Sequence, residues 1–350
     1  LTNYFETLLS AVIWLPCNSA TIAKQYRKVL DKYAEETSSI PEFVDWQGHD
    51  FSMRGMGGIE AAVTSAAGHL LSFTGSDTIP AIDFFEEYYS ANSDTELIAG
   101  SVAATEHSVM CMGTTEGEYE TFKRLICEVY PKGIVSIVSD TWDLWKVLTD
   151  YLPRLKDEIV SREGKVVVRP DSGDPVDIIC GNPNGKTEQE KKGVIELLWD
   201  VFGGTVNAKG FKELVPQIGA IYGDSITVTR ATAICELLKA KGFASTNVVL
   251  GIGSFTYQYN TRDTFGFAMK ATYGEVNGDG RAIFKDPITD DGTKKSAKGL
   301  MKIERAEGKY TLTDEVSWEE EQKGELKEVF RDGKLLIDQS LSDIRKLVKI

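Results

Sequence analysis

The chain has 350 residues, a formal net charge of −14, 42% apolar residues and 26% charged residues. That length allows one large domain or two ordinary ones with a sizeable core. The acidic balance argues against a nucleic-acid partner, whose phosphates need clustered Lys and Arg, but leaves small anionic substrates open. Cys17, Cys111, Cys127, Cys180 and Cys235 form no CxxC and do not pair with the three histidines, so no zinc site is expected. An odd, scattered cysteine count suits reduced thiols in a cytoplasm. No apolar run approaches the roughly 18 residues of a membrane helix. The opening LTNYFETLLSAVIWL also lacks the basic start of a signal peptide.

Residues 1–50 read as a helical segment, with apolar positions recurring at three and four residue spacings through TIAKQYRKVLDKYAEET. The chain begins with Leu1 rather than Met, already inside this pattern, and is read as truncated or processed at its N-terminus. From LLSF onward the texture changes to short apolar runs closed by polar or glycine-bearing turns. These are LLSF–TGSD, LIAGSVA–ATEH, IVSIV–SD, KVVV–RPDSGDP, GAIY–GDS and NVVL–GIGS, with helical stretches between them. Fully apolar strands alternating with helices predict a parallel sheet covered on both faces. Right-handed crossovers then place every strand's C-terminal end on one rim. Six such units in a row favour an irregular (β/α) barrel of mostly parallel strands over residues 51–265, in preference to a doubly wound open sheet. Residues 266–350 read as an antiparallel β and helical part packing on that barrel. Asn277-Gly278-Asp279-Gly280 signals a hairpin there, and the basic loop DDGTKKSAKG follows it.

The candidate site residues sit at the predicted strand ends. In RPDSGDP, Arg169 follows three valines and offers a planar fork for phosphate. Asp171 and Asp174 can accept ribose hydroxyls or hold Mg²⁺, since hard cations prefer carboxylate oxygens. Gly223-Asp224 and Gly251-Ile-Gly253-Ser254 allow close backbone approach to a phosphate, or are an ordinary cap and turn. His107, in a segment otherwise small and apolar, suits a proton carrier or a phosphorylatable nucleophile, with Asp140 placed to orient it. His49 and His69 are read as satisfied structural histidines. Asp77 either accepts hydrogen bonds from an amide NH₂ or caps the helix opening at Ile79-Pro80. Lys270, Lys285, Lys294, Lys295 and Lys298 form a solvated basic loop, a phosphate flap or a cross-subunit contact.

Together DFSMRG, SFTGSDT, SVAATEHS, SIVSDTWD, VVVRPDSGDP, IYGDSI, the GIGS–TRD stretch and FKDP match, in order and spacing, the nicotinamide phosphoribosyltransferase family, which this chain resembles over nearly its whole length. The resemblance implies transfer of a phosphoribosyl group from phosphoribosyl pyrophosphate to nicotinamide, giving nicotinamide mononucleotide and pyrophosphate. It also implies Mg²⁺, ATP hydrolysis coupled through His107, and a homodimer with the active site at its interface. By the same resemblance Phe51 stacks on the pyridine ring, Asp77 accepts its amide NH₂, and Arg54 and Arg169 grip phosphates. Asp171, Gly223 and Asp224 meet the ribose, Gly253 and Ser254 the nucleotide phosphate, and Arg262, Lys270, Lys285 and Lys294 complete the anion site. The family also has a region upstream of Leu1 that supplies a second aromatic wall, and some members carry a longer glycine run where Phe255 follows GIGS here. Two other readings fit the residues: a nicotinate phosphoribosyltransferase, and a truncated inactive relative acting as a binding partner.

Overall fold

The computed structural model describes residues 2–223, 225–285 and 296–349. Two compact units are distinguished, one of Leu15–Thr264 with Ser340–Ile350 and one of Leu1–Trp14 with Phe265–Gln339.

The larger unit is organised by a seven-stranded parallel sheet. Its strands are β1 (Gly48–Asp50), β2 (Gly75–Ser76), β3 (Ala103–Ala104), β4 (Gly133–Val138), β5 (Gly164–Arg169), β6 (Ile218–Tyr222) and β7 (Val248–Ile252). The spatial order is β2-β1-β7-β6-β5-β4-β3. The two outer members approach each other, because Gly75 and Gly100 form a parallel bridge. In it, Ser76 N donates to Gly100 O at 3.1 Å and Gly100 N donates to Thr74 O at 2.8 Å. Followed round this seam, the strands come in chain order, as in a curled (β/α) barrel and unlike a doubly wound sheet.

Strand alternation then decides which side chains face inward. On β5, Lys165, Val167 and Arg169 line the interior cavity, whereas Val166 and Val168 are buried in the core. The core joins Val135 and Ile137 of β4 to Ile195 and Leu198 of the helix Glu188–Phe202 and to Ile234 and Leu238 of the helix Val228–Ala240.

Helix α1 (Thr2–Thr37) is shorter than the helical segment expected over residues 1–50. Its pattern stops before Pro41, which opens a single 3₁₀ turn, Pro41–Phe43, ahead of β1. The expected strand at LLSF is absent. Helix α2 (Ile59–His69) runs into that segment, Leu70 and Phe73 are buried at its exit, and the strand is confined to Gly75–Ser76. A short apolar run fits a buried helix end as well as a buried strand, which is why periodicity alone misplaced it.

The smaller unit is antiparallel. Its hairpins pair Tyr273–Val276 with Asp279–Ala282, Lys302–Ala306 with Lys309–Thr313, and Phe330–Arg331 with Lys334–Leu335. Each turns on a residue–glycine pair at positive φ: Asn277-Gly278, Glu307-Gly308 and Asp332-Gly333. These are the two-residue turns whose twist matches that of the strands they join.

Candidate active site

The base of the site is stitched together by Asp50 at the end of β1. Its buried carboxylate accepts from Ser52 N at 2.9 Å and from Ser76 Oγ and Thr78 Oγ1 at 2.8 Å. This fixes the β1 and β2 ends against each other and aims the next residue, Asp77, at His49. His49 Nε2 lies 2.8 Å from Asp77 Oδ1, and Ser101 Oγ donates to the same oxygen at 2.5 Å. Burial pushes the Asp77 carboxyl up, but the hydrogen bonds and charge of His49, the Ser101 hydroxyl and the more distant Arg169 outweigh it and hold the group below its ordinary value. The capping alternative for Asp77 does not hold. Helix α3 (Pro80–Tyr88) has Ile79 at its N-cap position and no side-chain cap.

Phe51 follows β1, with its backbone N–H donating to Ile252 O at 2.9 Å. Its ring sits 4.8 Å from the Arg169 guanidinium carbon and 4.6 Å from the His49 ring. Gly251 makes room for it, since a Cβ there would lie 2.5 Å from the Phe51 ring. Phe51, Asp77 and Arg169 share the lining of one barrel cavity of about 440 Å³.

A second cluster lies at the ends of β4 and β5. His107 opens helix α4 (His107–Met112), and its Nε2 is 3.4 Å from Asp140 Oδ1 and 3.5 Å from Asp171 Oδ1. Asp140 Oδ2 accepts from Asp171 N at 2.9 Å and Ser172 N at 2.8 Å, clamping the loop after β5. Asp140 Oδ1 is buried without a hydrogen-bond partner. Burial raises the Asp171 carboxyl, and the like charge of Asp140 raises it further. Asp174, by contrast, is spent on helix α5 (Pro175–Cys180), where it accepts from Val176 N and Asp177 N.

Arg169 connects the two clusters. Its side chain is 6% exposed, one nitrogen lies 3.5 Å from Thr105 O and another 3.8 Å from Glu106, and Nε has no partner. Glu106 also meets Arg54 at 3.5 Å, so one carboxylate spans the two arginines. Gly223 closes this corner: a Cβ there would sit 3.2 Å from Asp171 Cβ and 3.3 Å from Arg169 Nε. Ser254 opens the short helix Ser254–Gln258 after Gly253 and abuts the Arg54 loop, for a Cβ on Gly55 would fall 2.0 Å from Ser254 Oγ.

Other expected residues are placed elsewhere or lie outside the described residues. Arg262 pairs with Asp263 at 2.7 Å on the surface. Lys270 and Lys285 are exposed members of the smaller unit. Asp224, Lys294 and Lys295 lie outside the described residues. His69 is a satisfied structural histidine, as expected. His49 is more than that, because it holds Asp77. The sequence offered no local signal for it: the partners are 28 residues apart. Ser101 and Glu106 were equally unassigned, and Gly251, expected as a phosphate-approach glycine or an ordinary turn, instead makes room for Phe51.

A curled parallel barrel with arginines and carboxylates collected at its strand ends defines a class of barrel enzymes that handle anionic substrates. Residues 46–334 match the nicotinate phosphoribosyltransferase family, and the chain belongs to that family. It is 55% identical to a nicotinamide phosphoribosyltransferase of Acinetobacter baylyi, over 99% of this chain and 69% of that protein. Identity to the protein of the same name from Mycoplasma pneumoniae is 44%, over 85% of this chain and 63% of the relative. With that of Xanthomonas campestris it is 34%, over 98% and 71%. The chain thus spans about two thirds of the length of these relatives. The fold is also that of a nicotinate-nucleotide pyrophosphorylase from Pyrococcus furiosus, with a TM-score of 0.55 at 12% identity, covering 96% of this chain and 69% of the other. No helix among the described residues is long and apolar enough to cross a membrane.

Proposed function

We propose that this chain transfers a 5-phosphoribosyl group from phosphoribosyl pyrophosphate to nicotinamide, releasing pyrophosphate, as a cytoplasmic homodimer that hydrolyses ATP through His107. The observation that carries the reading is Asp77, the one carboxylate lining the cavity among the described residues, held ionised by His49 and Ser101 beside the Phe51 ring. An anion placed there accepts hydrogen bonds from a carboxamide NH₂ and repels a carboxylate. The names of the relatives support the same substrate.

The chemistry asked of the other residues follows from charge. Displacing pyrophosphate at an anomeric carbon builds positive charge on the ribose and negative charge on the leaving group. Arg169 and Arg54 supply fixed cations for phosphate oxygens, displacing Glu106, while Gly223, Gly253 and Ser254 let the chain approach them closely. Asp171 faces the ribose. Mg²⁺ fits Asp140 and Asp171, whose hard oxygens include Asp140 Oδ1, buried without a hydrogen bond and 3.4 Å from His107 Nε2. When bound, it neutralises charge on the diphosphate. His107, half exposed between these carboxylates, is placed to receive a phosphoryl group, with Asp140 and Asp171 orienting its Nε2.

The deciding experiment is a steady-state comparison of nicotinamide with nicotinate. Wild type is expected to prefer nicotinamide, and Asp77→Ala to reduce that preference by about a hundredfold through loss of a charged hydrogen bond. A wild type that prefers nicotinate overturns the assignment.

A further inference from the structure

Between β6 and the helix Val228–Ala240 the chain makes a turn that its own residue does not favour. Ser225 sits in the left-handed region at φ 55°, a conformation that is costly for a residue with a Cβ. The chain is anchored on both sides of it. Gly223 N donates to Pro170 O at 3.1 Å, and Ile226 O accepts from Tyr26 Oη at 2.7 Å and from Thr256 Oγ1 at 2.8 Å. Backbone strain of this kind persists only where the surroundings over-determine it.

Arg230, in the first turn of that helix, adds the contact that does so. Its Nη1 donates to Ser225 O at 2.8 Å, and its Nη2 lies 3.6 Å from Asp174 Oδ2. The other oxygen of Asp174 accepts from Val176 N at 2.9 Å and Asp177 N at 3.4 Å, which fixes Asp174 to the loop after β5. One guanidinium therefore spans the loops after β5 and β6. The same two loops meet again where Tyr222 Oη donates to Gly173 O at 2.9 Å. A planar fork can serve a carbonyl and a carboxylate at once. The joined loops carry Asp171 and Gly223, whose clearance is narrow: a Cβ on Gly223 would stand 3.2 Å from Asp171 Cβ. The start of the helix does not depend on the Arg230 side chain, because its backbone N–H is capped by Thr227 Oγ1 at 3.2 Å. That side chain is also 39% exposed, so truncating it opens no core cavity.

We propose that Arg230 is a positioning residue: it selects the left-handed turn at Ser225 and thereby holds Gly223 against Asp171 at the spacing the phosphoribosyl substrate needs. The choice of substrate rests on the transferase reading, whereas the brace itself rests on the geometry of the two loops. Nicotinamide recognition lies at Asp77 and Phe51, which Arg230 does not touch, so the two substrates should respond differently.

The test is a double-mutant cycle on the full chain. Arg230→Met is expected to raise KM for phosphoribosyl pyrophosphate about tenfold, as for loss of one charge-assisted contact, and to leave KM for nicotinamide unchanged. Glycine adopts the left-handed turn without help, so Ser225→Gly should make Arg230 dispensable. In that background Arg230→Met is expected to change KM by no more than about twofold, which also reports that the variant is folded. Amide exchange needs no turnover: residues 225–227 should exchange faster in Arg230→Met than in wild type. Equal rises in both KM values, a rise that Ser225→Gly leaves in place, or unchanged exchange at residues 225–227 overturns the brace. A wild type that turns over neither substrate overturns the transferase reading alone, and exchange then decides the brace.

Discussion

At Asp77 two opposing effects meet, and their balance decides what the pocket recognises. Partial burial favours a neutral carboxyl, while His49, Ser101 and Arg169 favour the ion and win. Because the folded group lies below its ordinary value, it is ionised at every pH above the usual carboxylate range. The preference for an amide should therefore be flat through neutral pH and fade only in acid, as the carboxyl protonates. His49 acts here as a positioning residue: its Nε2 fixes which oxygen of Asp77 is engaged and leaves the other for a ligand. Replacing it should damage recognition more than chemistry. His49→Ala is expected to raise KM for nicotinamide about tenfold with a smaller change in kcat, as for loss of one hydrogen bond to a charged group. His49→Gln, which keeps a donor, should recover part of that loss. Steady-state kinetics over a range of pH checks both. A kcat loss with unchanged KM would assign His49 to the reaction step instead.

At the scale of elements, the short C-terminal helix Leu341–Val348 shows how one side chain can dock a whole segment. Leu341 is fully buried, and the helix is strongly amphipathic, but its attachment centres on Arg345. The guanidinium donates to Leu70 O through two nitrogens at 3.0 and 2.9 Å, to Leu97 O at 2.9 Å and to Ile98 O at 2.8 Å. Those carbonyls belong to the exit of α2 and the approach to β3, the two stretches flanking the barrel seam. Arg345→Met retains much of the packing but leaves the carbonyls unpaired, and is expected to cost about 2 kcal/mol. Faster amide exchange confined to residues 341–349 and 70–98 would mark the docking. Unchanged exchange there would show that Leu341 alone holds the helix.

Contacts of this kind mark the limit of what the sequence discloses. The strands β4 to β7 were legible because each is built on an apolar run that closes on glycine or a polar residue, so Arg169, Gly223 and Gly253 stood out at their ends. The two-residue strands carry little pattern: β2 lies in the turn after the expected LLSF strand, and β3 at the end of the expected LIAGSVA run. Arg169 drew notice after three valines, yet Lys165, on the same inward face of the same strand, was read as the edge of an apolar run. For Asp77 the local rules favoured a cap before Pro80, and a histidine far away in sequence took the side chain instead. Local chemistry was readable, and so was the pairing of His107 with Asp140 at neighbouring strand ends, whereas the His49–Asp77 pair was not.

For the whole molecule, one acid-sensitive contact lies where the barrel closes. His69 is wholly buried at the end of α2, stacked on Phe73 at 5.0 Å. Its Nε2 lies 3.1 Å from Gly75 O, which can only accept, so Nε2 carries the proton and Nδ1 accepts from the Tyr257 hydroxyl at 2.6 Å. One neutral imidazole thus joins α2, the β2 edge strand beside the seam, and the helix Ser254–Gln258. Burial lowers its pKa from 6.5 to about 4, against the opposing charge of Asp50. The unfolded chain therefore takes up this proton first. The stability it carries is complete above pH 6.5 and declines as the pH falls toward 4, by about 3 kcal/mol in total. His69→Gln can still donate to Gly75 O but cannot be protonated. Its unfolding free energy, from urea titrations across that window, should fall about 3 kcal/mol less than that of wild type, even where it starts lower at neutral pH. Parallel declines in the two proteins would move the sensor to the carboxylates. A difference confined to the window between pH 6.5 and 4 would place it at the seam, where protonation strikes a strand only two residues long.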